Sequence, residues 1–335
     1  MLTELELTLI NALQVDPRAS WSVIGGALGI GAATAARRWD QLVEAGDAWM
    51  TAYPAGPLAA RMALAFVQID CAPGMPTEVA RTLAADPHVP TIEHVAGPCD
   101  LLIHVVAPDL RAVSDYVVHR LAALPGVTGT RTLVAPRLFS EGSRWEVRAI
   151  SRSQREALAA HVPSASAPIR FGELDRALML ALGENGRMSY AELSGHLGVS
   201  ASTVRRHLDA LLGGGSVRLR CEIARSKSPA PVTMMLWLRV PPDRLEETAR
   251  SLANLPEVRM CAAISGAANL LLVAWLRSPA DTVPLESSLV ASLPRLEIID
   301  RAVTLRGVKL MGRLLDDTGR AVDRVPLDFW APVRT

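Results

Sequence analysis

Two adjacent arginines, Arg205 and Arg206, follow closely on three hydroxyl side chains, Ser200, Ser202 and Thr203. A guanidinium can fork onto the acceptor edge of guanine, and hydroxyls in the first turn of a helix can meet phosphate. Residue types in this order suit entry into the major groove of double-stranded DNA, which makes Ser200, Ser202, Thr203, Arg205 and Arg206 DNA-binding candidates. The same residues also fit a plain amphipathic helical hairpin with a solvated arginine face. The local pattern leaves both readings open.

Helices have to place these groups. The stretch RMSYAELSGHLGVSASTVRRHLDALLGGG (187–215) predicts two helices about a tight turn at Gly198, capped by Ser189 and Ser200. Leu193 and Leu197 share one face of the first, and Val204, Leu208, Leu211 and Leu212 form the buried stripe of the second. A preceding helix with Leu174, Leu178 and Leu182 on one face completes a three-helix module.

The module occurs twice. Residues 20–46 lie on 189–215 without a gap, at an offset of 169, with ten identities in 27 positions. The same offset lays Gly97 on Gly266, Leu101 on Leu270 and Leu124-Pro125 on Leu293-Pro294. A whole two-domain unit is therefore duplicated. In the first copy Arg37 and Arg38 are the DNA-binding candidates. The hydroxyls at 200 and 202 are replaced by Gly31 and Ala33, and Arg205 by Ala36. Residues 1–50 carry three arginines against six carboxylates, a balance of −3, whereas residues 171–222 carry six of each sign. The second module is expected to be the stronger DNA reader.

After each module the rhythm changes to short apolar runs with helices between them. Residues 62–70, 75–85, 89–97, 100–107, 109–124 and 127–135 read as βαββαβ, and 232–305 repeats the order. The expected fold class is α+β: winged-helix-like helix-turn-helix domains plus ferredoxin-like βαββαβ domains, each present twice. The boundaries are 1–53 and 171–223 for the helix-turn-helix domains, and 62–136 and 231–306 for the ferredoxin-like domains. Residues 137–170 are a linker with a flexible Ser/Ala/Pro part, and 316–335 a polar tail. Residues 47–57 and 216–231 are expected as wing-like strands and hinges. Alternate positions such as Leu101, Ile103 and Val105 are apolar, so the sheet face away from the helices is expected to need a partner. The two sheets are expected to pack face to face as an intrachain pseudo-dimer, with further association into homo-oligomers.

These residues resemble the Lrp/AsnC family of bacterial transcriptional regulators, in which one helix-turn-helix precedes one βαββαβ ligand-sensing (RAM) domain. The resemblance rests on GRMSYAELSGHLGVSASTVRRHLDAL (186–211), where Arg187, Leu193, Gly198, Ser200, Thr203 and Arg206 match the family pattern. It covers Leu5 to about Leu315 as two units in tandem. It implies a cytoplasmic regulator, not an enzyme, whose partners are double-stranded DNA and a small effector such as an amino acid. The family's glycine-to-acid turn is present as Gly97-Pro98-Cys99-Asp100, while the second copy reads Gly266-Ala267-Ala268-Asn269 and has lost the acid. Gly97, Asp100, Gly266 and Asn269 are accordingly the effector-binding candidates. An Asp100 that merely caps its turn is the competing reading.

Siroheme decarboxylases resemble fused pairs of the same units and are the enzymatic alternative. Their Trp-Pro-Tyr-Asn run and Met-x-His-Gly end have no convincing counterpart here, where AGPCDLLIHVV and SGAANLLLVAW stand. A sensor that no longer binds DNA is a third possibility, against which Arg205 and Arg206 argue. No cofactor or metal is implied: the seven histidines lack HxxxH spacing, and Cys71, Cys99, Cys221 and Cys261 lack CxxC spacing. His207 could contact phosphate or be structural. Mean hydropathy is +0.22, yet no run of ~20 apolar residues predicts a membrane span, and no secretory signal is visible.

Overall fold

The computed structural model describes residues 2–160, 170–293 and 295–333. Helices α1 (Glu4–Val15), α2 (Trp21–Leu28) and α3 (Ala32–Glu44) lead into strand β1 (Ala48–Pro54) and the short α4 (Gly56–Ala59). Then come β2 (Ala63–Cys71), α5 (Pro76–Ala84), β3 (Thr91–Ala96), β4 (Leu101–Ala107), α6 (Leu110–Asp115) and β5 (Val127–Val134). β6 (Arg137–Ser140) and α7 (Arg152–Ala159) end the first half. The second half supplies α8 (Glu173–Glu184), α9 (Tyr190–Leu197), α10 (Ala201–Gly213), β7 (Val217–Ile223) and β8 (Val232–Arg239). It continues with α11 (Leu245–Ala253), β9 (Val258–Ala263), β10 (Leu270–Leu276), α12 (Thr282–Ser292) and β11 (Glu297–Leu310). Two short strands, β12 (Arg313–Leu315) and β13 (Ala321–Arg324), follow.

The chain forms two compact units. One comprises residues 1–61, 146–228 and 320–327; the other comprises 62–145, 229–319 and 328–335.

Both three-helix modules lie in the first unit. Thr3 caps α1 reciprocally with Glu6, and Leu9, Ile10 and Leu13 bury its apolar face. Gly29 and Gly198 end α2 and α9 in the left-handed region, φ 70° and 67°, where a glycine avoids the steric cost of a side chain. Ala35, Trp39 and Leu42 anchor α3, and Val204, Leu208 and Leu211 anchor α10. The wing-like strands expected after each module pair instead with each other: β1 runs antiparallel to β7 from Ala48↔Ile223 to Pro54↔Val217. A lone seven-residue strand cannot satisfy its own backbone groups, and the copy of itself is the nearest partner.

In the second unit each copy keeps the ferredoxin-like strand order, β5-β2-β4-β3 and β11-β8-β10-β9. The copies share one sheet. β3 pairs with β11 from Ala96↔Val303 to Thr91↔Leu310, and β6 pairs with β9 through Arg137↔Ala263 and Leu138↔Ala262. The fourth strand of each copy thus continues onto the second strand of the other.

Leu101, Ile103 and Val105 do not lie on the face that needed a partner. They pack under the helices with Val79, Leu83 and Val113. The opposite positions, Phe66, Leu102 and Leu133, meet Met235, Trp237, Leu271 and Val273 of the second copy in one apolar layer. The alternation is one residue out of phase with the expected assignment, which exchanges the two faces.

Two further expectations are corrected. Residues 137–170 are not a plain linker, because β6 adds to the sheet and Leu158 of α7 is fully buried in the first helical core. Buried Asn11 accepts hydrogen bonds from the Ala149 and Ile150 amides at 2.7 and 3.2 Å, which fixes the approach to α7. The Ser/Ala/Pro part, including His161, lies outside the described residues. The tail at 316–335 is also packed: Leu327 and Phe329 are buried, and the Ala331 carbonyl lies 2.8 Å from His88 Nε2. Phe329 removes a large aromatic surface from water, enough to hold a polar segment in place.

Candidate nucleic-acid interface and effector turns

The N-terminus of α10 carries three hydroxyls centred on Ser200. Ser200 caps the helix by accepting from the Thr203 amide at 3.2 Å, and its Oγ lies 2.9 Å from both Ser202 Oγ and Thr203 Oγ1. Arg205 and Arg206 are exposed behind it. The Arg205 guanidinium lies 5.7 Å from the Tyr190 ring centroid and 3.8 Å from the Asp209 carboxylate, held near the ring yet still largely in solvent. The N-cap of α3 is Gly31, which makes no side-chain cap bond, and Arg37 and Arg38 are exposed behind it.

His207 is anchored within its own module. Its Nδ1 sits 2.7 Å from Oδ1 of buried Asp175, whose other oxygen accepts from the Gly172 amide at 2.9 Å. This bond gives the half-buried ring a structural role through Nδ1.

Arg18 and Arg187 fix how the two modules meet. Arg18 donates to the carbonyls of Gly186 and Met188 at 2.8 and 2.9 Å, and Arg187 donates to those of Pro17 and Ala19, both at 2.7 Å. The two arginines are one another's counterparts at the 169-residue offset, and so are their acceptors. Each guanidinium also lies over the aromatic side chain opening the other module's second helix: Arg187 is 3.9 Å from the Trp21 centroid and Arg18 5.7 Å from that of Tyr190. Burial, followed by the neighbouring Arg18 charge, lowers Arg187 to about 10; burial also lowers Arg18. The register of β1 and β7 obeys the same exchange, because Met50↔Cys221 and Ala52↔Leu219 are related by the offset. A local two-fold relates the modules. The sequence reading matched Arg187 to the family pattern without giving it this role; its recurrence as Arg18 was the available signal.

The glycine-to-acid turns sit in the second unit. Asp100 is exposed, and its Oδ2 accepts from the Cys71 amide at the end of β2 at 2.7 Å, a bond outside its own turn. Asn269 does more at the equivalent place. Its Oδ1 accepts from the Val240 amide at 3.0 Å while its Nδ2 donates to the Val240 carbonyl at 2.7 Å. Gly97 is required by the chain itself, since a Cβ there would meet the Arg301 carbonyl at 2.8 Å and the Ala302 Cβ at 2.5 Å. Gly266 has φ 117°, a left-handed value that disfavours other residues.

One buried polar cluster escaped the sequence reading. Asp86 accepts from the Tyr116 hydroxyl at 2.7 Å and from Arg120 Nε and Nη2 at 3.0 and 3.1 Å. Lys309, fully buried, donates to the Asp86 carbonyl at 2.8 Å, and burial pushes its ammonium down to about 7 against the partial support of Asp86. Tyr116 and Arg120 lie on a widened π-type turn, Tyr116–Leu121, that continues α6. The second copy has Leu255, Leu285 and Leu289 at the matching places, so the offset gave no hint of it.

Cys71 is half-buried and the other three cysteines are buried; burial raises all four, Cys71 to about 11 and Cys99 and Cys261 to about 12. No described helix is long and apolar enough to cross a membrane.

Comparison with known proteins follows this architecture. The Lrp/AsnC ligand binding domain matches residues 64–144 and 233–314, and the AsnC-type helix-turn-helix domain matches residues 2–43 and 173–212. An uncharacterized HTH-type transcriptional regulator of Pyrococcus abyssi is 30% identical over 108 residues, 32% of this chain and 68% of that protein. Another from Pyrococcus furiosus is 32% identical over 101 residues, 30% of this chain and 68% of that protein. Both are archaeal, so a bacterial source is not supported by them. Among solved structures, the siroheme decarboxylase NirDL in complex with an iron-uroporphyrin III analogue superposes with a TM-score of 0.57 at 17% identity. That match covers 91% of this chain and 93% of NirDL, and it shows a shared fold. With two AsnC-type helix-turn-helix domains and two Lrp/AsnC ligand binding domains in tandem, the chain belongs to the Lrp/AsnC family of transcriptional regulators.

Proposed function

We propose that this chain binds DNA sequence-specifically through α10 and α3 and responds to a small effector, such as an amino acid, in its sensing unit. The observation that carries the reading is the reciprocal Arg18–Arg187 exchange. It fixes two helix-turn-helix modules about a local two-fold while Ser200, Ser202, Thr203, Arg205, Arg206, Arg37 and Arg38 remain on the surface of their helices. DNA readers of this class address a dyad with paired recognition helices. Here one chain supplies both. The sensing copies likewise share one apolar layer, so the pairing that separate subunits would provide is built into the chain.

Asp100 offers an acceptor to the ammonium of an amino acid, because its exposed carboxylate has a second oxygen beside the one that accepts from the Cys71 amide. Asn269 has both ends of its amide bound to Val240 and suits such a ligand less well. Full-length protein incubated with fragmented genomic DNA, then footprinted, tests the reading: discrete protected sites support it, and uniform salt-sensitive coating opposes it.

The fold shared with NirDL favours a second reading, an enzyme acting on sirohaem. Incubation of the full chain with sirohaem separates the two. A decarboxylated product without discrete DNA protection would replace the regulator reading with the enzymatic one.

A further inference from the structure

The local two-fold relates backbones, and it does not relate the surfaces that the two recognition helices present. Between residues 31 and 38 and their counterparts 200–207, only Ala32/Ala201, Thr34/Thr203 and Arg37/Arg206 are identical. Arg37 and Arg206 therefore occupy the same place on the two helices. The second arginine of each pair does not. On α10 it is Arg205, one residue before the shared position; on α3 it is Arg38, one residue after it.

A helix turns ~100° per residue, so the two extra guanidinium groups project to opposite sides of the shared arginine. What fills the vacated places strengthens the difference. Ala36 on α3 stands where Arg205 stands on α10, and it presents only a methyl group. His207 stands where Arg38 stands, and Asp175 holds its ring at 2.7 Å. Arg205 is steadied by Tyr190 and Asp209, whereas Arg38 lies 3.5 Å from Gln41 within its own helix. The first turns differ as well, with Ser200 bonded to both the Ser202 and Thr203 hydroxyls on α10 and an uncapped Gly31 on α3.

Base identity in the major groove is read by the positions of donors along and around the recognition helix. Two helices that share one donor and carry the second on opposite sides cannot both be satisfied by the same base sequence. We infer that the operator is a bipartite duplex with unlike halves, one read by Arg205 and Arg206 of α10 and the other by Arg37 and Arg38 of α3. This rests on the DNA-binding reading above and adds to it the form of the site. A single chain, rather than a pair of identical subunits, defines both halves, so the complex has one orientation on its DNA.

The test is selection of bound sequences from a randomised duplex pool by the full-length protein, repeated with Arg205→Ala and Arg38→Ala. Both arginines are exposed, so neither change should disturb folding. The expected consensus has two unlike halves; Arg205→Ala relaxes one and Arg38→Ala relaxes the other. Duplexes made symmetrical by repeating either half should then bind at least tenfold more weakly than the selected site. A palindromic consensus, a single half, or relaxation of the same bases by both substitutions would overturn the inference while leaving DNA binding in place. No enrichment at all would remove both the inference and the DNA-binding reading.

Discussion

Replacing Lys309 by methionine should stabilise the protein near neutral pH, and the gain should vanish as pH rises. Lys309 is fully buried, and its ammonium is pushed from an ordinary 10.5 down to about 7. Across that window the unfolded chain binds a proton that the folded chain has released, so wild-type stability rises with pH from about 7 to about 10.5. Below about 7 both states are protonated and the folded state carries the full cost of the buried charge. One pKa unit is worth 1.36 kcal/mol, so a shift of this size sets an upper bound of about 5 kcal/mol, and relaxation around the ammonium should leave about 2–3 kcal/mol.

Methionine has a similar shape and no charge. It leaves the Asp86 carbonyl without the Lys309 bond at 2.8 Å, a loss of about 1 kcal/mol. The variant should therefore be more stable by about 1–2 kcal/mol at pH 7 and equal or less stable near pH 10. Urea unfolding of both proteins at matched pH values, with unchanged m-values, measures the difference and cancels groups common to both. A difference that stays constant between pH 7 and 10 would refute the argument, because it would mean that the ammonium is not desolvated in the folded state.

The other expectations concern the binding surfaces. Arg206→Ala should weaken DNA binding more than Arg37→Ala in titrations across salt concentrations, by about 1–3 kcal/mol if Arg206 makes a bidentate base contact. Of the two recognition helices, α10 has a hydroxyl cap and α3 has none. The negative field around α3 is partly relieved, however, by Arg320 at 2.9 Å from Asp47, so equal losses for the two variants would show that the tail offsets the charge deficit. Arg187→Ala should lower the unfolding free energy of the helical unit by about 2–4 kcal/mol, through two lost bonds to the part-buried carbonyls of Pro17 and Ala19 and the Trp21 contact. An unchanged urea midpoint would show that the exchange is incidental. In thermal-shift assays against the standard amino acids, Asp100→Asn should abolish any stabilising shift and Asn269→Ala should leave it in place. The reverse order would assign the effector to the second turn.

Local physics made much of this protein legible. A 3.6-residue apolar period with Ser189 and Ser200 as caps specifies helices wherever the chain goes, and both residues accept the expected amide bonds. The offset of 169 exposed the duplication because identity between copies needs no tertiary knowledge. The βαββαβ order followed from the alternation of short apolar runs with helical ones.

Tertiary structure decided what those elements touch. Alternation along β4 shows two faces and does not say which one the helices cover, so Leu101, Ile103 and Val105 were placed opposite to where they pack. The pairings β1–β7, β3–β11 and β6–β9 leave no local trace, because a backbone hydrogen bond is indifferent to side-chain identity. No local pattern marks Lys309 or Arg18 for a special role. Their roles arise from carbonyls more than 160 residues away in sequence, which only folding brings within hydrogen-bonding distance.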